Sequence, residues 1–383
     1  MSALNKLLQI NEGEGKRVLS FFLCWFFLIG SFMFGRTARD TFFLSRFPTE
    51  YLPHMFILIA VAIALTISVH SKLSKHYSLI PLMLATFAVG TGSYLIIFFI
   101  IKLFAPEWIY PVLYVWFEVV GTVMVIQFWL LTNSAFDTRE AKRLFGVIAS
   151  GGAVANTALG FSMGTLVDVL SADFLLPATA LFIGLGFVMV LFIRQFLDEI
   201  PVSSSKRTFS SNKKKRGVLS SPYLKVMTLT IVAAAIAGTL VDYQMKIIVS
   251  DNLNESEMAS LFGTLYGAIG LISILIQFFF TSRFLSRFGV LLALMFLPGT
   301  LLLGSSAILV TPVLATAICA KAGDQIFKFT LHDISSQLLW LPISPQVKSK
   351  AKPFIDGTIK NLAGGLTGIL IIGLMSLFND VRV

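Results

Sequence analysis

Long runs of apolar residues, separated by short polar segments, extend over almost the whole chain. Each run has the length of about 20 residues that a helix needs to cross a bilayer. The alternating segments of about ten residues that are typical of outer-membrane barrels do not occur. The pattern predicts an all-α polytopic membrane protein with eleven spans, at residues 18–43, 51–70, 79–101, 109–132, 143–167, 174–195, 224–247, 258–280, 288–310, 312–336 and 354–378.

One long polar segment divides these spans into six and five. Residues 201–221 are rich in Ser and Lys and contain hardly an apolar residue. Such a composition is typical of a flexible linker, and it is equally compatible with a tether to lipid headgroups. We therefore predict a six-helix bundle over residues 1–196, a basic linker over 197–223, and a C-terminal bundle of five visible spans over 224–383 that lacks a twelfth.

A Gly-x-x-x-Asn-x-x-x-Gly pattern occurs once in each half, at residues 152–160 around Asn156 and at residues 357–365 around Asn361. Glycines four apart allow another helix to approach closely, and an asparagine between them needs a partner or a cavity. The recurrence indicates an internal duplication. Two repeats that meet around polar residues at mid-membrane depth are typical of secondary transporters.

Composition and charge narrow the class further. Hydrophobic residues make up 56% of the chain and the mean hydropathy is +0.83, which excludes a soluble globular domain. The net charge of +10 would suit a nucleic-acid-binding protein. However, most basic residues lie on the predicted side that holds the N-terminus and the linker, as expected for cytoplasmic loops. We predict a multi-pass protein of the cell inner membrane with a cytoplasmic N-terminus, which contacts lipids and no nucleic acid.

Ionisable residues inside a span are expensive, so each is a candidate functional residue. They are concentrated in five spans: Arg36, Arg39 and Asp40 in the first, Glu118 in the fourth, Asp242 and Lys246 in the seventh, Lys321, Asp324 and Lys328 in the tenth, and Asp356 and Lys360 in the eleventh. Six bases against five acids indicate an anionic ligand. The alternative is a set of structural salt bridges, formed by the pairs Arg36 and Asp40, Asp242 and Lys246, and Asp324 and Lys328.

Motifs for chemical catalysis are missing from the sequence. It contains no Walker A sequence, no nucleophile elbow, no HExxH and no paired-cysteine pattern. We therefore expect neither an enzyme nor a bound metal or cofactor.

Three segments carry a family resemblance. They are Arg39-Asp40-Thr41, the run FWLLTNSAFDTREAKRLFGVIASGGAVANTALG over residues 128–160, and GTLVDYQMK over residues 238–246. Together they resemble the nucleotide transporter family, the ATP/ADP translocases of plastids and intracellular bacterial parasites. The resemblance implies a major facilitator-like fold of two pseudo-symmetric bundles and ATP/ADP antiport. That family usually places a basic residue after Arg-Asp-Thr, where this chain has Phe42, and Glu in the position of Asp242.

These observations combine into one hypothesis. The chain is expected to be a secondary active transporter that moves a small anionic solute, a nucleotide or another phosphorylated or carboxylate compound, by alternating access. A non-transporting scaffold or sensor of the same fold and a proton-driven exporter of small organic molecules remain alternatives, and oligomeric state stays open. The candidate substrate-binding residues are Arg36, Arg39, Asp40, Glu118, Asn156, Asp242, Lys246, Lys321, Asp324, Lys328, Lys360 and Asn361.

Overall fold

The structure is a computed structural model. It describes residue 11, residues 13–198 and residues 221–378, apart from gaps at 75, 137, 277–279, 281, 340–342, 344–346, 348–350 and 352. The central part of the predicted linker, residues 199–220, lies outside the described residues. All elements of regular secondary structure among the described residues are helices.

Six long helices of the described chain precede the linker. They are α1 (Gly15–Leu44), α2 (Leu52–Leu73), α3 (Leu79–Phe104), α4 (Ile109–Ala135), α5 (Thr138–Leu170) and α6 (Leu175–Asp198). Short 3-10 turns at Thr49–Tyr51 and Ala172–Phe174 precede α2 and α6. After the linker come α7 (Pro222–Asn252), α8 (Glu255–Ile276), α9 (Ser282–Val310), α10 (Leu314–Phe327), α11 (Asp333–Leu339) and α12 (Lys360–Phe378).

The tenth predicted span is helical, but a π segment interrupts it. Ten helical segments of the described chain are long and apolar enough to cross a membrane, and they coincide with the other ten predicted spans. In the tenth span, α10 ends at Phe327 and a π-helical segment, Lys328–His332, separates it from α11. A π segment accommodates extra residues by widening the turn, and it is frequent at functional sites. A second π segment, Pro353–Ile359, leads into α12.

Two sides of the bundle are named by their position. The linker side is the side on which α6 ends and α7 begins, and the distal side is the opposite one. Helix α1 has 30 residues and is therefore about 45 Å long. It begins on the linker side, and its buried residues Phe21, Cys24 and Leu28 recur at helical spacing on one face.

The two halves meet along two helix pairs, α5 with α8 and α2 with α12. A Cβ atom added to Gly160 of α5 would lie 2.3 Å from the Cα atom of Gly267 in α8. A Cβ atom added to Gly365 of α12 would lie 2.7 Å from the Cβ atom of Ala60 in α2. Since both contacts require glycine, the structure confirms the close helix approach that the repeated pattern predicts at these positions.

Candidate functional site

Among the described residues, eight charged side chains from four helices form a continuous ion-pair network where the halves meet. It lies in the distal half of the bundle and contains four bases and four acids. Its members are Arg36, Arg39 and Asp40 of α1, Glu118 of α4, Asp242 and Lys246 of α7, and Lys321 and Asp324 of α10.

Asp40 is fully buried at the centre of the N-terminal side of this network. It accepts hydrogen bonds from Nε of Arg39 at 2.9 Å and from Nη2 at 3.1 Å. The ammonium nitrogen of Lys246 lies 3.0 Å from Asp40 Oδ1, and Nε of Arg36 lies 3.9 Å from Oδ2. Because Lys246 belongs to α7, this carboxylate joins the two halves.

Asp242 has the corresponding position on the C-terminal side. Its carboxylate lies 2.8 Å from the ammonium of Lys246 and 2.6 Å from that of Lys321. Nη2 of Arg36 approaches the same carboxylate at 3.7 Å, again across the halves. Lys321 is also 3.6 Å from Asp324, one turn further along α10. Two acids and three bases are thereby linked around Asp242 and Lys321.

Aromatic rings pack against the cations. Arg39 pairs with Glu118, and its guanidinium lies over the ring of Tyr114, 4.5 Å from the centroid. The buried Tyr114 hydroxyl accepts a hydrogen bond from Lys246 at 2.8 Å. Phe117 contacts the Arg39 guanidinium as well, at 5.0 Å. Cation–π contacts of this kind stabilise a desolvated charge without adding a further carboxylate.

Arg36 is the most accessible base of the network. Its side chain is 28% exposed, whereas those of Arg39 and Lys321 are 4% exposed. The guanidinium lies 4.6 Å from the ring centroid of Tyr266 in α8. With its amide oxygen turned towards Arg36, Gln325 accepts hydrogen bonds from it at 3.2 and 3.3 Å. Sequence reasoning missed Tyr266 and Gln325, because both are uncharged and belong to no repeated pattern.

Four predicted site residues lie outside the network. Lys328 begins the π segment and belongs to no ion pair among the described side chains, while Lys360 is exposed at the start of α12. The Asn361 side chain donates to the carbonyl of Gly357 in its own helical segment. Asn156 lies where α5 crosses α8, against Gly270.

One expectation about charge needs correction. Of the three predicted salt bridges, Arg36 with Asp40 and Asp242 with Lys246 are present, but Asp324 pairs with Lys321 and not with Lys328. The wider π turn that begins at Lys328 changes the angular spacing of side chains expected for a regular helix. The count of six bases against five acids covers all eleven charges of the spans, and the eight of them that form the network sum to zero.

A second set of polar contacts joins the halves nearer the distal surface. Nη1 of Arg46 lies 2.8 Å from the Glu255 carboxylate at the start of α8, and the Ser45 hydroxyl bonds the same carboxylate at 3.2 Å. Arg46 also lies over the rings of Tyr110 and Phe42. Phe42, which follows Arg39-Asp40-Thr41 in the sequence, is buried in this aromatic cluster.

Solved structures with the same fold are transporters. A structure of the nucleoside transporter NupG aligns with 97% of this chain over 93% of the NupG chain, with a TM-score of 0.60 and 14% identity. A bacterial homologue of the iron transporter ferroportin, in an inward-facing state, covers 93% and 90% with a TM-score of 0.65 and 12% identity. The chain therefore shares the fold of these solved structures.

The family follows from the sequence comparison. The model described as TLC ATP/ADP transporter matches residues 97–318, which is more than half of the chain, and the chain belongs to this family. "ADP,ATP carrier protein 1" of Chlamydia muridarum is 24% identical, with 91% of this chain and 80% of that protein covered. "ADP,ATP carrier protein 2" of Chlamydia pneumoniae is 21% identical, with 98% and 78% covered.

Proposed function

We propose that this transporter carries a nucleotide, with the eight-residue network as its binding site. The observation that carries the proposal is the convergence of four bases, three of them buried, from both halves of a chain whose relatives are named ADP,ATP carriers. Guanidinium and ammonium groups are the usual partners of phosphate oxygens, and arginine binds them in pairs. The four acids hold these bases in place when no solute is bound.

Binding and alternating access are coupled through the ion pairs that cross the halves. Phosphate oxygens compete with Asp40 and Asp242 for Arg36 and Lys246, so solute binding loosens the contacts that join α1 to α7. The halves then separate on the distal side and close on the linker side. We assign Lys328 and Lys360 as further bases that contact the solute on the linker side, and Asn156 and Asn361 as residues beside the moving helix contacts.

The remaining proposals concern organisation and placement. We place the boundary between the two moving bundles in the basic linker, with residues 1–196 on one side and 224–383 on the other. The excess of basic residues on the linker side supports a cytoplasmic linker and N-terminus in an inner membrane. Every relative and structural neighbour described above is named as a carrier or transporter, which favours transport over a scaffold or sensor.

Uptake by purified protein in proteoliposomes tests the proposal. We expect saturable uptake of radiolabelled ATP or ADP, with competition by unlabelled nucleotides and little competition by nucleosides, sugar phosphates or dicarboxylates. Arg39→Gln should abolish this uptake, whereas Arg287→Gln, which removes an exposed arginine outside the network, should not change it. Competition by dicarboxylates alone would contradict the nucleotide assignment.

A further inference from the structure

The charges of the network are balanced by the protein's own side chains. Each of its four bases lies within 4.0 Å of at least one of its four acids, so the network needs no external ion for neutrality. Acids and bases come from both halves, and Asp40 and Asp242 each face bases from both. Compensation is therefore continuous across the boundary along which the halves must move.

This charge balance matters at the step in which the binding site changes its access from one side of the membrane to the other. In the occluded arrangement the site is closed to water on both sides, and an unpaired charge there is strongly unfavourable. A carrier whose bases are neutralised only by its solute cannot pass this step without solute. Such a carrier is restricted to exchange, because the return movement requires another solute molecule.

Resting on the proposed function, we infer that this transporter also reorients without solute and therefore supports net, one-way movement in addition to exchange. In the solute-free passage Arg36, Arg39, Lys246 and Lys321 stay paired with carboxylates of their own half, Asp40 and Asp242, while the pairs that cross the halves open. Because the carrier returns to its starting state in every cycle, net transport moves only the charge of the solute. Homo-exchange of the same nucleotide moves no net charge.

Proteoliposomes distinguish the two modes. Vesicles contain either buffer alone or unlabelled ATP, and labelled ATP is added outside. Equal potassium on both sides with valinomycin prevents the entering charge from building up a potential that would stop net uptake. We expect uptake into vesicles without internal nucleotide that exceeds one molecule per transporter, at a rate within about tenfold of the exchange rate.

The outcomes separate this inference from the proposed function. Uptake that requires internal nucleotide would overturn the inference and leave nucleotide transport intact. Absence of uptake in both arms, with protein that is correctly inserted, would overturn the proposed function itself.

A variant with an unbalanced network provides a second test. Glu118→Gln removes the acid that pairs with Arg39 and leaves the network with a net positive charge. Solute then supplies the missing negative charge, so the ratio of net uptake to exchange should fall at least tenfold, whatever the absolute rates. Glu107→Gln makes the same chemical change at an exposed distal position and should keep the wild-type ratio. An unchanged ratio in Glu118→Gln would contradict the inference. If Glu118→Gln is inactive, Asp324→Asn replaces it, and an unchanged ratio in that variant would contradict the inference in the same way.

Discussion

Lys246 of α7 and Asp40 of α1 form an ion pair of 3.0 Å that connects the two halves inside the membrane. Both side chains are almost completely buried, and 206 residues separate them in the chain. Each has a second strong partner, Arg39 for Asp40 and Asp242 for Lys246. The pair is therefore part of a shared network rather than an isolated bridge.

This ion pair predicts that mutations of its two members have non-additive effects on stability. Lys246→Gln leaves Asp40 buried with one fewer partner, and removal of one member of such a pair typically costs about 3–5 kcal/mol. The unfolding temperature in detergent should therefore fall clearly. The double variant Asp40→Asn, Lys246→Gln should recover part of the loss, because no unpaired charge remains. If the double variant loses as much stability as the two single variants together, or more, the two side chains are not coupled in this way.

Arg36 should affect solute affinity more than stability. It is the most accessible base of the network, and its carboxylate contacts are the longest, at 3.7 and 3.9 Å. Arg36→Gln should raise the KM for nucleotide uptake about tenfold or more while the unfolding temperature stays near the wild-type value. Tyr266→Leu, which removes the ring beneath Arg36, should cause a smaller rise of a few-fold. Tyr266→Phe keeps the ring and serves as the control. A large loss of stability with unchanged KM in Arg36→Gln would assign this arginine a structural role.

The crossing of α5 and α8 should not tolerate a methyl group. In Gly160→Ala the added Cβ atom would meet the backbone of Gly267, so the helices must move apart. We expect a lower unfolding temperature and slower turnover, with a smaller effect on nucleotide binding. Gly92→Ala is the matched control, because a Cβ atom there has no neighbour within 4 Å and alanine favours the helix by about 1 kcal/mol. If Gly160→Ala transports at the wild-type rate, the close contact between α5 and α8 is not required for turnover.

The distal contact between Arg46 and Glu255 should hold the distal side closed. Breaking it by Glu255→Gln should increase labelling of a Ser250→Cys reporter by a membrane-impermeant thiol reagent, because Ser250 bonds the carbonyl of Leu44 at the same closure. The background must lack the two native cysteines, Cys24 and Cys319. The exchanged pair Arg46→Glu, Glu255→Arg should restore slow labelling. If the exchanged pair labels as fast as the single variant, the contact does not control access.

Sequence alone identified the members of the network but not its pairing. A charge inside a span is costly enough to mark a functional candidate, which is why Arg39, Asp40 and Asp242 could be singled out. Helical spacing then correctly predicted partners within one helix, such as Lys246 for Asp242. Partners on different helices, such as Lys246 and Asp40, depend on how the helices are rotated against one another. No local pattern contains that information.

The failed pairing and the missed residues also have physical causes. The pairing of Asp324 with Lys328 assumed a regular helix, and the π segment that begins at Lys328 breaks the assumption. Tyr266 and Gln325 are ordinary residues for a membrane helix, and only their position beside Arg36 gives them significance.

Equilibrium binding of ATP to the double variant Arg39→Gln, Glu118→Gln tests the central claim most directly. This change removes one base and its acid together, so the remaining six network charges are still balanced and the protein should fold as the wild type does. If the network binds phosphate, the Kd for ATP should rise about tenfold or more, since a charged hydrogen-bond donor is lost. If the ion pairs are only structural locks, the double variant should bind ATP with wild-type affinity, and that result would contradict a phosphate-binding role for the network.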